Sequence, residues 1–129
     1  MAFGHGKDTV FKLAGTDITA YLTKEDIKRM CATADTTTQG KSSKTFIAGL
    51  KDSSITLAGP LDPTSNTIFI AALGVSTSWE FAPQGTASGK VKITGTAFCT
   101  DYSTSSDVGS VVTVSVQLQG TGDITDTTY

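Results

Sequence analysis

Residues 110–120 read SVVTVSVQLQG, and the apolar side chains fall on every second position. Val112, Val114, Val116 and Leu118 alternate with Thr113, Ser115, Gln117 and Gln119. A period of two is the mark of a strand buried on one face only. Residues 90–102 repeat it, with Val91, Ile93, Ala97 and Cys99 on one side and Lys90, Lys92, Thr94, Thr96 and Thr100 on the other. A chain with two such strands has to build a sheet with one core face. The opposite faces are polar but almost uncharged, and need a neighbour or a lumen to meet.

The remaining segments fit the same plan. Thr9–Leu13, Ile18–Leu22, Ser54–Gly59 and Ser78–Phe81 read as short strands or extended pieces, separated by turns such as Ala14-Gly15-Thr16-Asp17. One helix is expected at 63–73. Asp62 suits its N-cap, Pro63 its first turn and Gly74 its end, with Ile68, Ala72 and Leu73 as the buried contacts. Lys24–Ala34 is ambiguous. Ile27, Met30, Cys31 and Ala34 form a helical stripe, and Thr23 with Asp26 makes a weak capping box. As a strand, Ile27, Arg29, Cys31 and Thr33 would share a face. Local pattern favours the helix. Residues 121–129, TGDITDTTY, read as a polar tail, and residues 1–8 as an N-terminal arm.

Six to eight strands and one helix in 129 residues make a single domain of mainly β class, a sandwich or barrel with one flanking helix. The net charge of −2 and the lack of any basic run argue against a nucleic-acid grip. The opening MAFGHGKDTV has no apolar run of signal-peptide length, and no segment reaches the length of a membrane span. The expectation is a cytosolic chain in which Cys31 and Cys99, far apart and outside any CxxC, are buried thiols.

Catalytic chemistry has little to work with. The single histidine, His5, lies between glycines, and one His with two distant Cys falls short of a zinc site. Asp17, Asp52, Asp62 and Asp101 sit beside turns, where capping explains them. GTASG at 85–89 is not followed by the Lys-Ser/Thr of a phosphate cradle. Trp79 suits a core or an interface. No cofactor, no metal and no enzymatic activity are expected.

One stretch resists assignment. DTTTQGKSSKTFIAGLKDSS, residues 35–54, is polar for eleven residues and then presents Phe46, Ile47 and Leu50 close together. At 36–52 it is long for a connection inside a compact domain. Such a segment folds when a partner pairs its backbone and receives its apolar side chains.

Taken in order, FGHGKDTVFKLAGTDITAYL, ADTTTQGKSSKTFIAGLKDSSITLAG, PLDPTSNTIFIAALG and VVTVSVQLQGTG resemble the major tail tube proteins of long-tailed bacteriophages. The resemblance covers nearly the whole chain. It implies a mainly β fold, shared with the type VI secretion tube protein, with residues 24–34 as a strand. It also implies hexameric rings stacked into a tube through which DNA leaves the capsid. The implied partners are further copies of the chain, tail terminator, tape measure and distal tail proteins, and DNA in transit, with no membrane. The implied place is the virion tail, assembled in the host cytoplasm. Within that picture 36–52 is an inter-subunit loop, with Thr36, Thr37, Thr38, Lys41, Lys44, Phe46, Ile47 and Leu50 as contacts. If subunits form a ring, Thr94, Thr96, Thr113, Ser115, Gln117 and Gln119 are the lumen candidates. Lys90 and Lys92 would then lie at the channel mouth or against a neighbour's acids. The rival readings are a tail-completion or head–tail joining protein, and a β-sandwich decoration or receptor-binding module.

Overall fold

A computed structural model describes residues 6–129. The elements are β1 (Val10–Leu13), β2 (Thr16–Asp17), β3 (Lys24–Asp35), β4 (Phe46–Pro60), α1 (Pro63–Ala72), β5 (Thr77–Ala82), β6 (Val91–Ser105) and β7 (Thr113–Thr128). They form one seven-stranded sheet in the order β2-β1-β5-β6-β7-β4-β3, antiparallel at every pairing. The mainly β chain with one helix is therefore built as a single sheet covered on one face.

That face is the one the alternation selects. Val114, Val116 and Leu118 of β7 lie beside Ile55 and Leu57 of β4, and Ile93, Ala97 and Cys99 of β6 beside Trp79 and Phe11, all of them buried. Two pieces cover it. The first is Ile18–Thr23: the Ile18 N–H donates to the Phe11 carbonyl at 3.1 Å, and the Thr23 N–H to the Ala58 carbonyl at 2.8 Å. This segment passes so close over β4 that a Cβ on Gly59 would stand 2.1 Å from the Tyr21 carbonyl oxygen.

The second cover is α1. Asp62 caps it by accepting from the Thr64 N–H at 2.8 Å, with Pro63 in the first turn. Its end is tethered by the Gly74 N–H donating to the Cys99 carbonyl at 3.0 Å, Gly74 taking φ +72°. The buried face differs from the expected one: Ser65, Phe69 and Ala72 point inward, Ile68 is only half-buried and Leu73 is 50% exposed. The reason lies in β6. An irregularity between Cys99 and Asp101 inserts an extra residue, so Tyr102 turns inward opposite Val116, against strict alternation. Its ring lies 5.7 Å from that of Phe69, and its hydroxyl donates to Asn66 Oδ1 at 2.7 Å. The bulge rotates the helix onto Phe69.

The strand that the resemblance implies for 24–34 is found: β3 pairs with β4 from Lys24↔Ala58 to Asp35↔Phe46, and a backbone partner outweighs the local helical pattern. Two further expectations are corrected. Residues 121–128, expected as a tail, are the second half of β7, paired with Val91–Thr96. Cys31 is exposed on β3, while Cys99 is buried and burial pushes its thiol pKa up. No disulfide joins them. His5 and most of the expected N-terminal arm lie outside the described residues.

Replacing Phe69 with Ala should lower the stability of the unassembled subunit by about 3–5 kcal/mol, against a smaller loss for Ile68→Ala. Denaturant midpoints of the two variants check this, and an equal or reversed order would contradict the packing.

Candidate self-assembly surfaces

The long β3–β4 hairpin leaves the body of the sheet. Strand β4 pairs with β7 only from Ser54 to Pro60, and its earlier residues pair with β3 alone. Every residue from Lys28 to Asp52 is exposed. The expected loop at 36–52 is thus partly strand: Phe46–Asp52 belong to β4, and the connection shrinks to 36–45. Its base is closed by the Thr36 N–H donating to the Thr45 carbonyl at 2.8 Å and by their hydroxyls at 3.0 Å. The Thr45 N–H donates to Thr37 Oγ1 at 2.8 Å. Thr38, Lys41 and Lys44 stand exposed at the tip. Phe46, Ile47 and Leu50 are 54, 58 and 88% exposed, and Met30 of β3 is 41% exposed. An isolated two-stranded ribbon is marginal in water, and this one exposes four large apolar side chains along it.

The arm departs from the sheet at a fork. Beyond Gln119, β7 leaves β4 and continues along β6. Buried Ser53 marks the crotch: a Cβ on Gly120 would meet Ser53 Oγ at 1.8 Å and the Ser53 carbonyl oxygen at 3.1 Å, so a larger residue there would have to turn the serine hydroxyl aside. Gln119 Nε2 closes the crotch by donating to Asp52 Oδ1 at 2.7 Å and to the Ser53 carbonyl at 3.1 Å. Between arm and β7 runs a groove of about 560 Å³, lined by Arg29, Cys31 and Lys51 on one side and Gly122, Ile124 and Asp126 on the other. Arg29 spans it, its two terminal nitrogens donating to the two oxygens of Asp126 at 2.7 and 2.8 Å. The Arg29 hydrogen bonds, with its charge, hold the Asp126 carboxyl below the usual range. A depressed carboxylate keeps this strap whole at neutral pH and loses it as pH falls through its folded value.

The uncovered sheet face gathers the six polar positions expected to line a lumen. Ser115 opposes Ala58 and Ser103, Gln117 opposes Thr56 and Asp101, and Gln119 opposes Ser54 and Phe98. Thr96 and Thr94 continue that face along β6, and Thr113 extends it along β7. Thr94 and Gln119 are half-buried, and the other four are exposed. Lys92 shares the face, but its partner is in its own chain: Nζ lies 3.6 Å from Glu80 Oε1, while Lys12 Nζ lies 3.6 Å from Oε2. The Tyr129 hydroxyl donates to Glu80 Oε2 at 2.7 Å, and Lys92 Nζ lies 5.3 Å from the centre of the Tyr129 ring. The tyrosine hydrogen bond holds the Glu80 carboxyl low, and burial with the Glu80 contact pushes the Tyr129 pKa up to about 12. The last residue of β7's neighbourhood is thereby fixed to β5 and β6. Sequence reasoning missed this cluster, since nothing in the 121–129 composition shows that the segment runs back beside Lys92.

No family model matches the chain, and no curated protein matches it. Solved structures do. A chain from the tail of an empty gene transfer agent particle, refined helically with C6 symmetry, is 18% identical over 97% of this chain and 99% of that one, with a TM-score of 0.79. The SPP1 tail tube is 13% identical over 98% of this chain and 80% of that one, with a TM-score of 0.81. A chain from the sheath–tube complex of an extracellular contractile injection system is 13% identical, over 98% and 93%, with a TM-score of 0.74. The likeness runs through nearly the whole chain in each case, and agrees with the resemblance read from the sequence. The chain has the fold found in these tails and tubes.

Proposed function

We propose that the protein is a structural tail tube subunit, without enzymatic activity, that self-assembles into hexameric rings stacked as a channel for DNA. The observation that carries this reading is the exposed β3–β4 arm on a chain whose full length has the tube fold. A soluble binding module has no use for a ribbon exposed from Lys28 to Asp52, with Phe46, Ile47 and Leu50 bare. An assembling subunit does, because a neighbour supplies the missing cover. Residues 36–50 are then inter-subunit contacts, and the assembled tube belongs to a virion tail. Tail terminator, tape measure and distal tail proteins are the expected partners at its ends.

The uncovered sheet face is proposed to line the lumen. Its middle strands present Ser54, Thr56, Ser115, Gln117, Thr94 and Thr96, with no Lys or Arg among them. Of the cations on this face, Lys92 stands at one end of the central strand β6 and Lys12 on β1, both beside Glu80, and Lys24 and Lys28 stand on the edge strand β3 with Asp26 between them. A channel that passes DNA must not hold it, since each phosphate neutralised by Lys or Arg adds affinity through counterion release. A polar centre without cations lets the DNA slide past water and hydroxyls.

Replacing residues 34–47 with an Asn-Gly turn tests the arm. The subunit should keep its melting temperature within a few degrees, because everything removed is exposed, and should form no tubes by negative-stain microscopy. Normal tubes from this variant would contradict the role of the arm. For the lumen, natural tubes should bind DNA poorly at low salt, and tubes carrying Thr113→Lys and Gln117→Lys should bind it clearly better, with a steep loss on adding salt. Tight binding by natural tubes, or no change on substitution, would place the lumen on another face.

A further inference from the structure

The uncovered face carries a dense cluster of charge on its β2-β1-β5-β6 side. Lys12, Glu80 and Lys92 alternate with the buried Phe11, Leu13, Trp79 and Ile93, so all three stand on that face. Lys12 lies opposite Asp17 in the β1–β2 pairing and opposite Glu80 in the β1–β5 pairing. Glu80 in turn lies opposite Thr94, one of the lumen candidates, with Lys92 two residues before it. Across four strands the row reads Asp17, Lys12, Glu80, Lys92, acid alternating with base.

Glu80 is the centre of the cluster. Each of its oxygens holds one lysine, Oε2 that of Lys12 and Oε1 that of Lys92, both at 3.6 Å. The Tyr129 hydroxyl donates to the same Oε2, and the Tyr129 ring lies under the Lys92 ammonium. The tyrosine is itself fixed: its N–H donates to the Lys90 carbonyl at 3.0 Å, and its carbonyl accepts from the Gly89 N–H at 2.7 Å. Side-chain exposure ranks the three charges, with Glu80 at 22%, Lys92 at 33% and Lys12 at 38%. A lone surface lysine holds its ammonium out in water on a flexible stem. These two bend back onto a carboxylate that lies deeper than they do. Partly exposed pairs of this kind add little to stability. Their effect on what the face offers to a passing anion is larger.

We infer that Glu80 is a masking residue: it holds Lys12 and Lys92 against the sheet and keeps them from the phosphates of DNA passing over this face. The inference rests on the lumen reading and assigns the channel's indifference to DNA to a particular side chain. Without Glu80 the same face would offer two unpaired ammonium groups per subunit, repeated around every ring. Each that reached a phosphate would release counterions and add affinity. The mask holds at neutral pH, because the Tyr129 hydrogen bond and the two lysines keep the Glu80 carboxyl charged. Tyr129 has a part in it, since it fixes the carboxylate and carries one lysine on its ring.

The test is binding of duplex DNA to assembled tubes at low salt. Glu80→Gln keeps the shape of the side chain and its acceptor for Tyr129 while removing the charge. Its tubes should form normally and bind DNA about tenfold or more tightly than natural tubes, with the plot of log K against log salt steeper by roughly 0.9 for each lysine that reaches a phosphate. Adding Lys12→Gln and Lys92→Gln to the same chain should return binding to the natural level, which a purely structural role of Glu80 would not do. Unchanged binding by Glu80→Gln tubes, tight binding that persists in the triple variant, or failure of Glu80→Gln to form tubes would each overturn the inference. Tubes carrying Thr113→Lys and Gln117→Lys separate this from the reading beneath it. If they bind DNA and Glu80→Gln tubes do not, only the masking role fails. If neither binds, the lumen lies on another face and the inference falls with it.

Discussion

A single sheet has two faces, and this chain has apolar cover for one. Helix α1 and the Ile18–Thr23 segment shield the face built from Phe11, Trp79, Ala97, Ile55, Leu57, Val116 and Leu118, all buried. Among the described residues nothing comparable lies over Ser115, Gln117, Thr56 and Thr96. The opposite face can therefore carry only side chains that tolerate water, and the composition follows: Thr, Ser and Gln fill it. The same shortage of cover leaves the β3–β4 ribbon bare beyond Ser53. Both exposed features come from one fact, that the core is one-sided.

The fork at Ser53 and Gly120 is where body and arm meet mechanically. The glycine lets the two backbones approach, Gln119 closes the crotch, and Arg29 ties β3 to the departing half of β7 through Asp126. A bidentate pair fixes direction as well as distance, because the guanidinium fork must face both carboxylate oxygens. The pair is exposed, so its worth lies in aiming the arm more than in stabilising the fold. In the proposed tube, a ribbon with a set angle would reach the same place on each neighbour, which a repeating assembly requires.

The sequence carried the sheet's inner face clearly, because Val112–Leu118 alternates without interruption and Val91–Cys99 does so except at Gly95 and Phe98. The helix was legible from Asp62-Pro63 and Gly74, which are local signals. Its rotation was not, because that depends on the extra residue after Cys99, and an irregularity of that kind leaves no mark in composition. The local pattern of residues 24–34 was misleading for a related reason. Ile27, Met30, Cys31 and Ala34 keep helical spacing, yet of the four only Ile27 packs against the core and the other three are exposed. The polar segment 121–128 hid its strand, since an exposed strand on the far side of a fork needs no apolar period. The polar arm could be recognised as unusual by its length, but the pairing that makes it a hairpin lies in β3, whose own pattern pointed elsewhere.

The central claim is that the arm is uncovered in the free subunit and covered in the assembly. Amide hydrogen exchange, compared between unassembled subunits and purified tubes, addresses it directly. The account predicts that amides of residues 28–52 exchange quickly in the free subunit, as a marginal ribbon should, and become strongly protected in tubes. Amides of α1 and of the inner strand segment Val114–Leu118 should change little. Arm amides that exchange as fast in tubes as in free subunits would contradict the account.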